Sequence, residues 1–307
     1  MAVLRFIFAA CLIANAATTA AQSYPLKALR LIVPFPPGGA ADILARTIGQ
    51  KMSEGLGQSV VIENRPGAGT AIGAEATAKS AADGYTIMIG TVSSHAINPS
   101  LSAKLPYHPI RDFTPISPVA SIPFALVVHP SLPARTVAEL IAAARAKPGV
   151  LNFSSAGNGT SNHLAGELFK SMARIDVVHI PYKGSAPALN DLLAGQVNMM
   201  FDLVLTAAPH VKAETVRAIA VTGKERSSVL PGVPTVHESG LSGYDVSAWF
   251  GIFAPAGLPT AVTHRLNTEV VRVMRLADVR ERLASQGAEP MASSAEAFAE
   301  YVRMELT

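Results

Sequence analysis

The amino-acid sequence predicts an α/β protein built from two similar lobes. Three observations predict it: short apolar runs alternate with helical patterns, the alternation starts again after a proline-rich connection, and only helices follow the last apolar run. Strands buried on both faces form nearly continuous apolar runs, which is typical of parallel sheets covered by helices. The chain has 307 residues, enough for about two domains.

The first run of the alternation covers residues 29–89. It contains three predicted strands, at 29–35, 60–62 and 85–89. Between the first two strands, apolar residues recur at helical spacing, namely Ile43, Leu44, Ile48 and Met52. We expect Gly55 and Gly57 to end that helix, and small residues favour another helix over 71–82.

The second run follows a connection that contains Pro106, Pro109, Pro115, Pro118 and Pro123. Thr136 and Glu139 form a capping box that predicts the start of a helix, which ends near Pro148. The expected strands lie at 124–128, 151–154, 177–180, 197–201 and 216–221, and further helices at about 162–173 and 186–194. We expect these strands to form a second parallel sheet.

The C-terminal part predicts an apolar strand over 248–254 and then two or three helices. The last helix is expected to open with a box formed by Ser293 and Glu296. If these helices pack on the first lobe, the chain crosses between lobes twice, near 122–126 and 245–250. The first lobe would then be 22–123 plus 248–307, the second 124–247, with a hinge between them.

Composition excludes two classes of protein. The chain is 49% hydrophobic and 15% charged, against about 25% charged in average globular proteins, so it is not intrinsically disordered. Its net charge is +3, and the basic residues are not clustered into the runs that phosphate backbones need. Nucleic acid is therefore not an expected partner.

Residues 1–21 predict a secretory signal peptide cut after Ala21, and hence a periplasmic protein. Arg5 precedes a short apolar run over 6–14, and small residues follow. A membrane anchor would need about 20 apolar residues, and a lipoprotein signal at Cys11 would lie too early in the segment. Cys11 is the single cysteine, so the processed chain would have no disulfide, thiol nucleophile or Cys-ligated zinc.

Two glycine-rich loops are the candidate binding elements, one in each predicted lobe. Residues 36–42 follow the first strand, where Gly38 and Gly39 permit a tight turn that exposes helical N–H groups to an anion. A plain turn capped by Asp42 is the alternative. Residues 154–163 repeat the design between a strand and a helix. Because open α/β sheets bind ligands at the carboxyl ends of strands, the two loops would clamp a small molecule.

Three further segments follow strand ends: 91–95 with Ser93 and Ser94, 181–185 with Lys183, and Asp202. For Lys183 a solvated surface charge is the alternative, and for Asp202 a helix cap. Asp202 would accept a hydrogen bond from a ligand ammonium or hydroxyl, or line a bridging-water site; the sequence leaves this choice open.

Catalytic and metal sites are not expected. The first loop has neither a P-loop lysine nor the G-x-G-x-x-G pattern, and G-x-S-x-G is missing from the chain. His163 and Glu167 share a helical face, but H-E-x-x-H is missing and a third ligand is not evident. The sequence therefore predicts a binding protein that uses no cofactor or metal.

In their order along the chain, these loops resemble the extracytoplasmic solute receptors of tripartite tricarboxylate transporters, often called Bug receptors. The resemblance covers essentially the whole processed chain. Its motifs are Tyr24-Pro25, Ile32 to Gly39 with Asp42, Ala45 and Arg46, Val61 to Gly69, Asp83 to Thr86, Asn98-Pro99, Ser155 to Leu164, His179 to Gly184, Leu230 to Thr235, and Ala254 to Gly257.

The resemblance implies a type II-like periplasmic binding protein, a Venus flytrap of two α/β lobes joined by two crossing strands. Its ligand would be a small carboxylate, either a di- or tricarboxylate, an acidic amino acid or an aromatic acid. The monomeric receptor would deliver it to a small and a large membrane subunit. A receptor that signals to a sensor kinase and a secreted hydrolase or isomerase are the rival interpretations.

Carried over position by position, the resemblance also implies which residues bind the ligand. In the first lobe these are Phe35, Gly38, Gly39 and Asp42, with Ser93 and Ser94 in a more variable loop. In the second lobe they are Ser155, Gly157, Gly159, Thr160, Ser161 and His163, with Asp202 at a position that often faces the ligand. Because family members differ at 91–95 and 202–207, the identity of the carboxylate does not follow from the sequence.

Overall fold

The structure is a computed structural model that describes residues 24–306. The predicted signal peptide, its cleavage after Ala21 and the Cys11 alternative lie outside the described residues. Within residues 24–306, every helix is too short or too polar to cross a lipid bilayer.

The described chain folds into ten strands and ten helices. The strands are β1 (Leu29–Val33), β2 (Val60–Asn64), β3 (Thr86–Thr91), β4 (Phe113–Val128), β5 (Asn152–Ser155), β6 (Val178–Pro181), β7 (Met199–Leu203), β8 (Arg217–Val221), β9 (Ser247–Pro255) and β10 (Glu289–Pro290). The helices are α1 (Ala40–Leu56), α2 (Ala71–Ala78), α3 (Asn98–Leu101), α4 (Val137–Ala146), α5 (Ser161–Ala173), α6 (Ser185–Leu193), α7 (Val204–Lys212), α8 (Thr260–Arg275), α9 (Ala277–Ser285) and α10 (Ala295–Met304). A 3₁₀ turn at Ala68–Thr70 and a π turn at Ser93–Ile97 precede α2 and α3.

The first lobe is built on the sheet β2-β1-β3-β9-β4. Its first three strands are parallel, β9 is antiparallel to both β3 and β4, and β10 pairs with β4. The second lobe is built on β4-β7-β5-β6, with β8 also paired to β4. The α/β fold with two lobes is thus confirmed.

The prediction of a second parallel sheet is only partly right. Strand β5 is parallel to both β6 and β7, but β4 is antiparallel to β7 and β8. Both sheets share β4, which passes from the first lobe into the second. There it lies antiparallel to its neighbours β7 and β8. Strand direction depends on this crossing, which an apolar run does not encode.

Strand β4 also corrects the prediction of a proline-rich connection up to residue 123. Its 16 residues include Pro115, Pro118 and Pro123. The pairing with β9 shifts register between Pro115 and Ser117 and again between Pro118 and Ala120. Prolines are tolerated in strands at such bulges, where the ladder does not need their missing N–H.

Two adjacent segments join the sheets. One is β4 itself, which changes sheet between Pro123 and Phe124. The other precedes β9: Val246 N donates to Thr222 O at 3.0 Å in the second lobe, and Ser247 pairs with Pro123 in the first.

Helix ends follow local chemistry. Gly57, with a φ of +67°, ends α1, and Glu139 N donates to the Thr136 hydroxyl at the start of α4, both as predicted. The N-cap of the last helix, α10, differs from the prediction. Ser294 rather than Ser293 accepts the capping hydrogen bond, from Ala297 N at 3.2 Å. Helix α7, which contains Pro209, is not indicated by the apolar pattern.

The C-terminal helices cover the first sheet. Leu266 and Val270 of α8 are fully buried, and the Asn267 amide donates to Ile116 O in β4 at 2.7 Å. On α10, the buried Phe298 ring lies so close to Gly251 of β9 that a Cβ on this glycine would overlap it. This packing holds β9 and β4 together beside the crossing segments.

Candidate ligand-binding site

A narrow cavity lies between the lobes, at the carboxyl ends of β1, β3, β5 and β7. About 30 Å³ of it is open to the centre of a water molecule. The lining residues are Phe35, Pro36, Gly39, Ala40, Ala41, Thr91, Ser93, Ala248 and Phe250 from the first lobe, and Phe124, Ala156, Thr160, Ser161, Asn162, Ser185, Asp202 and Leu203 from the second. Both lobes therefore share one site.

Helix α1 begins at this cavity with Ala40 and Ala41. Its N-cap, Gly39, makes no side-chain hydrogen bond to the helix. The carboxylate of Asp42 instead accepts from Gly38 N (3.1 Å), Arg46 Nε (2.9 Å) and Asn64 Nδ2 (2.9 Å). Burial raises the pKa of Asp42, but these hydrogen bonds outweigh it and hold the pKa below its ordinary value. Asp42 thus fixes the loop and does not line the cavity.

Helix α5 begins on the opposite wall. The glycine-rich loop turns through Gly157 and Gly159, whose φ values are +129° and +75°. Thr160, the N-cap, makes no side-chain hydrogen bond to a main-chain N–H of the helix, and its hydroxyl instead lies 2.6 Å from Gly157 O and 2.7 Å from Asn162 Oδ1. The first helical turn of α5 therefore lies at the cavity wall without a cap from its own N-cap side chain.

Two further helices begin at the cavity. Ser185, the first residue of α6, lines it, and so does Leu203, the N-cap of α7; neither start has a side-chain cap. Four helix N-termini therefore meet at one small cavity. Each bears about half a positive charge from the aligned peptide dipoles, and together they favour an anion.

Asp202 is the one ionisable side chain among the residues that line the cavity. It is 1% exposed, and its Oδ2 atom has no hydrogen-bond partner in the structure. Burial raises the pKa of Asp202 to about 7, against the effect of hydrogen bonds involving Thr206 and Leu203. The hydroxyl of Thr91 is likewise buried and unpartnered. Two polar atoms of the cavity wall thus lack a partner, which buried groups in proteins generally have.

The lobes touch along the rim of the cavity. The Ser161 amide donates to the Ser93 hydroxyl at 3.1 Å, from α5 to the turn after β3. A Cβ on Gly69 would lie 2.6 Å from Asn158 O, and one on Gly159 would lie 3.1 Å from Asn98 Oδ1. A Cβ on Gly184 would overlap Pro36. The lobes are closed on each other, and glycine permits this approach.

His163 and His179 hold the glycine-rich loop from behind. His163 Nδ1 accepts from Gly159 N at 3.3 Å, and His179 Nε2 lies 2.6 Å from the Ser155 hydroxyl, which accepts from Gly157 N. The two imidazoles stack at 4.0 Å. Burial is the main cause that lowers both pKa values, that of His179 to about 4. Both rings are therefore neutral at neutral pH, as the bond from Gly159 to His163 requires.

The structure brings six of the sequence-predicted residues to the cavity: Phe35, Gly39, Ser93, Thr160, Ser161 and Asp202. The other seven do not line it: Gly38, Asp42, Ser94, Ser155, Gly157, Gly159 and His163. Most of these shape the loops, as Ser94 does by bonding Thr91 N and His95 Nδ1. Lys183 is exposed and away from the cavity, in line with the surface alternative.

Thr91, Asn162 and Ser185 lie in the candidate segments 91–95, 154–163 and 181–185 but were not singled out, and the aromatic wall of Phe124 and Phe250 was missed. A signal existed for Ser185, which follows a strand and a glycine at the start of a helix. Phe124 and Phe250 lie within long strands and read as core residues. Residues 24–306 contain no cluster of three or more His, Cys, Asp or Glu side chains that could hold a metal ion.

Comparison with known proteins identifies relatives of this chain. The model of the tripartite tricarboxylate transporter family receptor, TctC, matches residues 44–307. Protein BugT of Bordetella pertussis is 39% identical over 277 residues, which cover 90% of this chain and 85% of that protein.

Two solved structures from Rhodopseudomonas palustris are similar throughout. Rpa4515 with adipate is 40% identical with a TM-score of 0.90, covering 92% of this chain and 95% of the other. MatC with bound malate is 34% identical with a TM-score of 0.88, covering 92% and 97%. The resemblance drawn from the motifs is confirmed: the chain belongs to the TctC family of periplasmic solute-binding receptors, which includes the Bug proteins.

Proposed function

We propose that this protein captures a small dicarboxylate between its two lobes and presents the closed form to the small and large membrane subunits of a tripartite transporter. The observation that supports this most is the meeting of four helix N-termini at one cavity, none of them capped by its own N-cap side chain. Such a site binds carboxylates through peptide N–H groups and dipoles. The related proteins that hold adipate and malate support the same class of ligand.

Closure is the second part of the proposal. The lobes, taken as 24–123 with 248–306 and as 124–247, would move about the segments at 123–124 and 246–247. A ligand that contacts α1 from one lobe and α5 from the other stabilises the closed form, because only there do both helix ends act on it. The closed form is then the state that the membrane subunits recognise.

A binding role without catalysis is also part of the proposal. The serine hydroxyls of the cavity wall have no histidine beside them; Ser93 accepts from Ser161 N instead. Ser94 bonds His95 and Ser155 bonds His179, but none of these four residues lines the cavity. Burial lowers the pKa of His95 to about 3, which makes it a poor base at neutral pH.

The receptor is further proposed to be a periplasmic monomer released by cleavage near residue 21.

Isothermal titration calorimetry against adipate, malate, citrate, aspartate and nicotinate tests the ligand class. We expect a dicarboxylate to bind with a Kd of about 10 μM or tighter, and its diamide analogue to bind at least about 100-fold more weakly, since the helix ends act on charge. Equal affinity for acid and amide would contradict the proposal. Uptake of the labelled ligand by cells with both membrane subunits should require this chain; ligand-dependent binding to a sensor kinase instead would favour the signalling rival.

A further inference from the structure

Asp202 is an acid in a cavity that otherwise suits anions. It belongs to β7 and pairs with Ala125 of β4, close to the point where β4 changes lobe. Its side chain lines the cavity beside Phe124 and Leu203, and Oδ2 has no hydrogen-bond partner. A buried oxygen without a partner is costly unless a bound ligand completes it.

The side chains of the elements packed against β7 supply no counter-charge to this carboxyl. Strands β4 and β5 contain no ionisable residue. The ionisable side chains on the helices are His163, Glu167 and Lys170 of α5, Asp191 of α6, and His210 and Lys212 of α7. None of them lines the cavity. The groups that act on Asp202 are the apolar surroundings first, and then Thr206 and Leu203.

A count of the charges at the cavity indicates the protonation state of Asp202 when a dicarboxylate is bound. Four helix N-termini at about half a charge each offer about two positive charges, which match the two of a dicarboxylate. An ionised Asp202 would add a third negative charge, in excess of the roughly two positive charges that the helix N-termini offer. With a proton on Oδ2, the same side chain donates a hydrogen bond to a ligand carboxylate oxygen, and both groups gain a partner.

We propose that Asp202 is protonated in the complex with a dicarboxylate, so that capture of the ligand at mildly alkaline pH takes up one proton from solution. The proton comes from water or buffer, no covalent bond to the ligand forms, and the total charge of the occupied cavity stays balanced. The inference depends on the proposed function, because it assumes a dianionic ligand in this cavity.

The direction of the pH dependence follows. The pKa of Asp202 is about 7 without ligand, and a nearby dianion raises it further. Below that value Asp202 is already neutral, so affinity is constant. Above it, the free protein must gain a proton on binding, so the affinity falls by about tenfold per pH unit until the pKa of the complex is reached.

An amino-acid ligand would reverse the sign of the proton exchange. Its ammonium group would pair with an ionised Asp202 and lower the carboxyl pKa. Binding would then release a proton below neutral pH, and affinity would rise as the pH rises. The sign of the proton exchange therefore separates the two classes of ligand.

The experiment titrates adipate, with malate as the second probe, at pH 8 in two buffers that differ in ionisation enthalpy. The buffer dependence of the heat gives the number of protons exchanged. We expect close to one proton taken up by the unmodified protein and none by Asp202→Asn, which resembles the neutral acid. At pH 8.5 Asp202→Asn should bind at least about 10-fold more tightly than the unmodified protein.

Asp191→Asn is the matched control, since Asp191 bonds the Tyr182 hydroxyl outside the cavity; it should retain the proton uptake. The number of protons taken up by the unmodified protein tests the inference even if Asp202→Asn fails to fold. Adipate or malate binding without proton uptake, or with proton release, overturns the inference alone. If neither dicarboxylate binds at millimolar concentration, the dicarboxylate function fails and the inference with it.

Discussion

The main-chain nitrogen of Ser161 donates a 3.1 Å hydrogen bond to the side-chain oxygen of Ser93, across the seam between the lobes. Ser161 is the first residue of α5, and Ser93 begins the π turn that follows β3. The bond therefore ties the N-terminus of a second-lobe helix to a strand end of the first lobe, at the wall of the cavity. A separation of the two lobes would break it.

Replacing Ser93 by alanine should weaken ligand binding by about fivefold, because a net hydrogen bond of about 1 kcal/mol is lost from the closed form. Calorimetry with the ligand measures the change, and small-angle scattering shows whether the unliganded protein opens. The control is Ser100→Ala, whose hydroxyl bonds Ala96 O within its own turn and should leave affinity unchanged. Unaltered affinity and compactness in Ser93→Ala would refute the role of this bond.

Two glycines of similar backbone conformation allow the effect of backbone strain to be distinguished from an effect on lobe closure. Gly69 (φ 58°, ψ 35°) and Gly57 (φ 67°, ψ 14°) are both left-handed. Alanine at either should cost about 1 kcal/mol of folding stability. Only at Gly69 would the Cβ meet the other lobe, 2.6 Å from Asn158 O; at Gly57 nothing lies within 4 Å.

We therefore expect Gly69→Ala to reduce ligand affinity by at least about 10-fold, since closure must shift to admit the Cβ. Gly57→Ala should bind as the unmodified protein does. Thermal unfolding without ligand should shift alike in both. Equal ligand affinities in the two variants would show that closure does not require glycine at 69.

Thr91→Val should make the unliganded protein more stable and the receptor weaker. The Thr91 hydroxyl is buried without a partner, so its removal should raise the free energy of unfolding by about 1 kcal/mol and the Tm by about 2 °C. If a ligand supplies that partner, affinity should fall by about fivefold.

The control for Thr91 is another buried threonine, Thr77, whose hydroxyl donates to Gly73 O at 3.0 Å. Thr77→Val should lower the Tm and leave ligand affinity unchanged. A fall in Tm for Thr91→Val would contradict the prediction, because it would mean that the hydroxyl already has a stabilising partner.

Acid should destabilise the fold through one buried and two half-buried histidines. In the folded state burial lowers the pKa of His95 to about 3, that of His179 to about 4, and that of His163 below its ordinary value. The unfolded chain, with histidine pKa values of about 6.5, therefore binds more protons below that pH. The stability is fully present above pH of about 6.5 and is lost as the pH falls towards 4.

His179→Gln should reduce this loss. Between pH 7 and 4.5 its Tm should fall several degrees less than that of the unmodified protein, measured by calorimetry or circular dichroism. His264, exposed on α8, supplies the control, since His264→Gln should keep the full acid dependence. Parallel curves for His179→Gln and the unmodified protein would refute the contribution of His179.

Much of the fold followed from local patterns. Every predicted strand overlaps an observed one, and the predicted ends at Gly57 and Thr136 hold because a left-handed glycine and a capping box act within a few residues. Residues 113–123 of β4 were expected to be a connection, because the bulges at Pro115 and Pro118 exist only against β9. The antiparallel direction of β4 in the second sheet likewise depends on a crossing between lobes.

The chemistry of the site divides along the same line. Local sequence determined that helices α1 and α5 begin after glycine turns at strand ends, since turn geometry and capping depend on near neighbours, and the motifs identified the family. Only tertiary structure decided that four helix starts meet at one cavity, that Asp42 and His163 support loops, and that Asp202 lies buried without a partner. Burial and long-range contact arise when segments far apart in the chain pack together, and they set which atoms remain for a ligand.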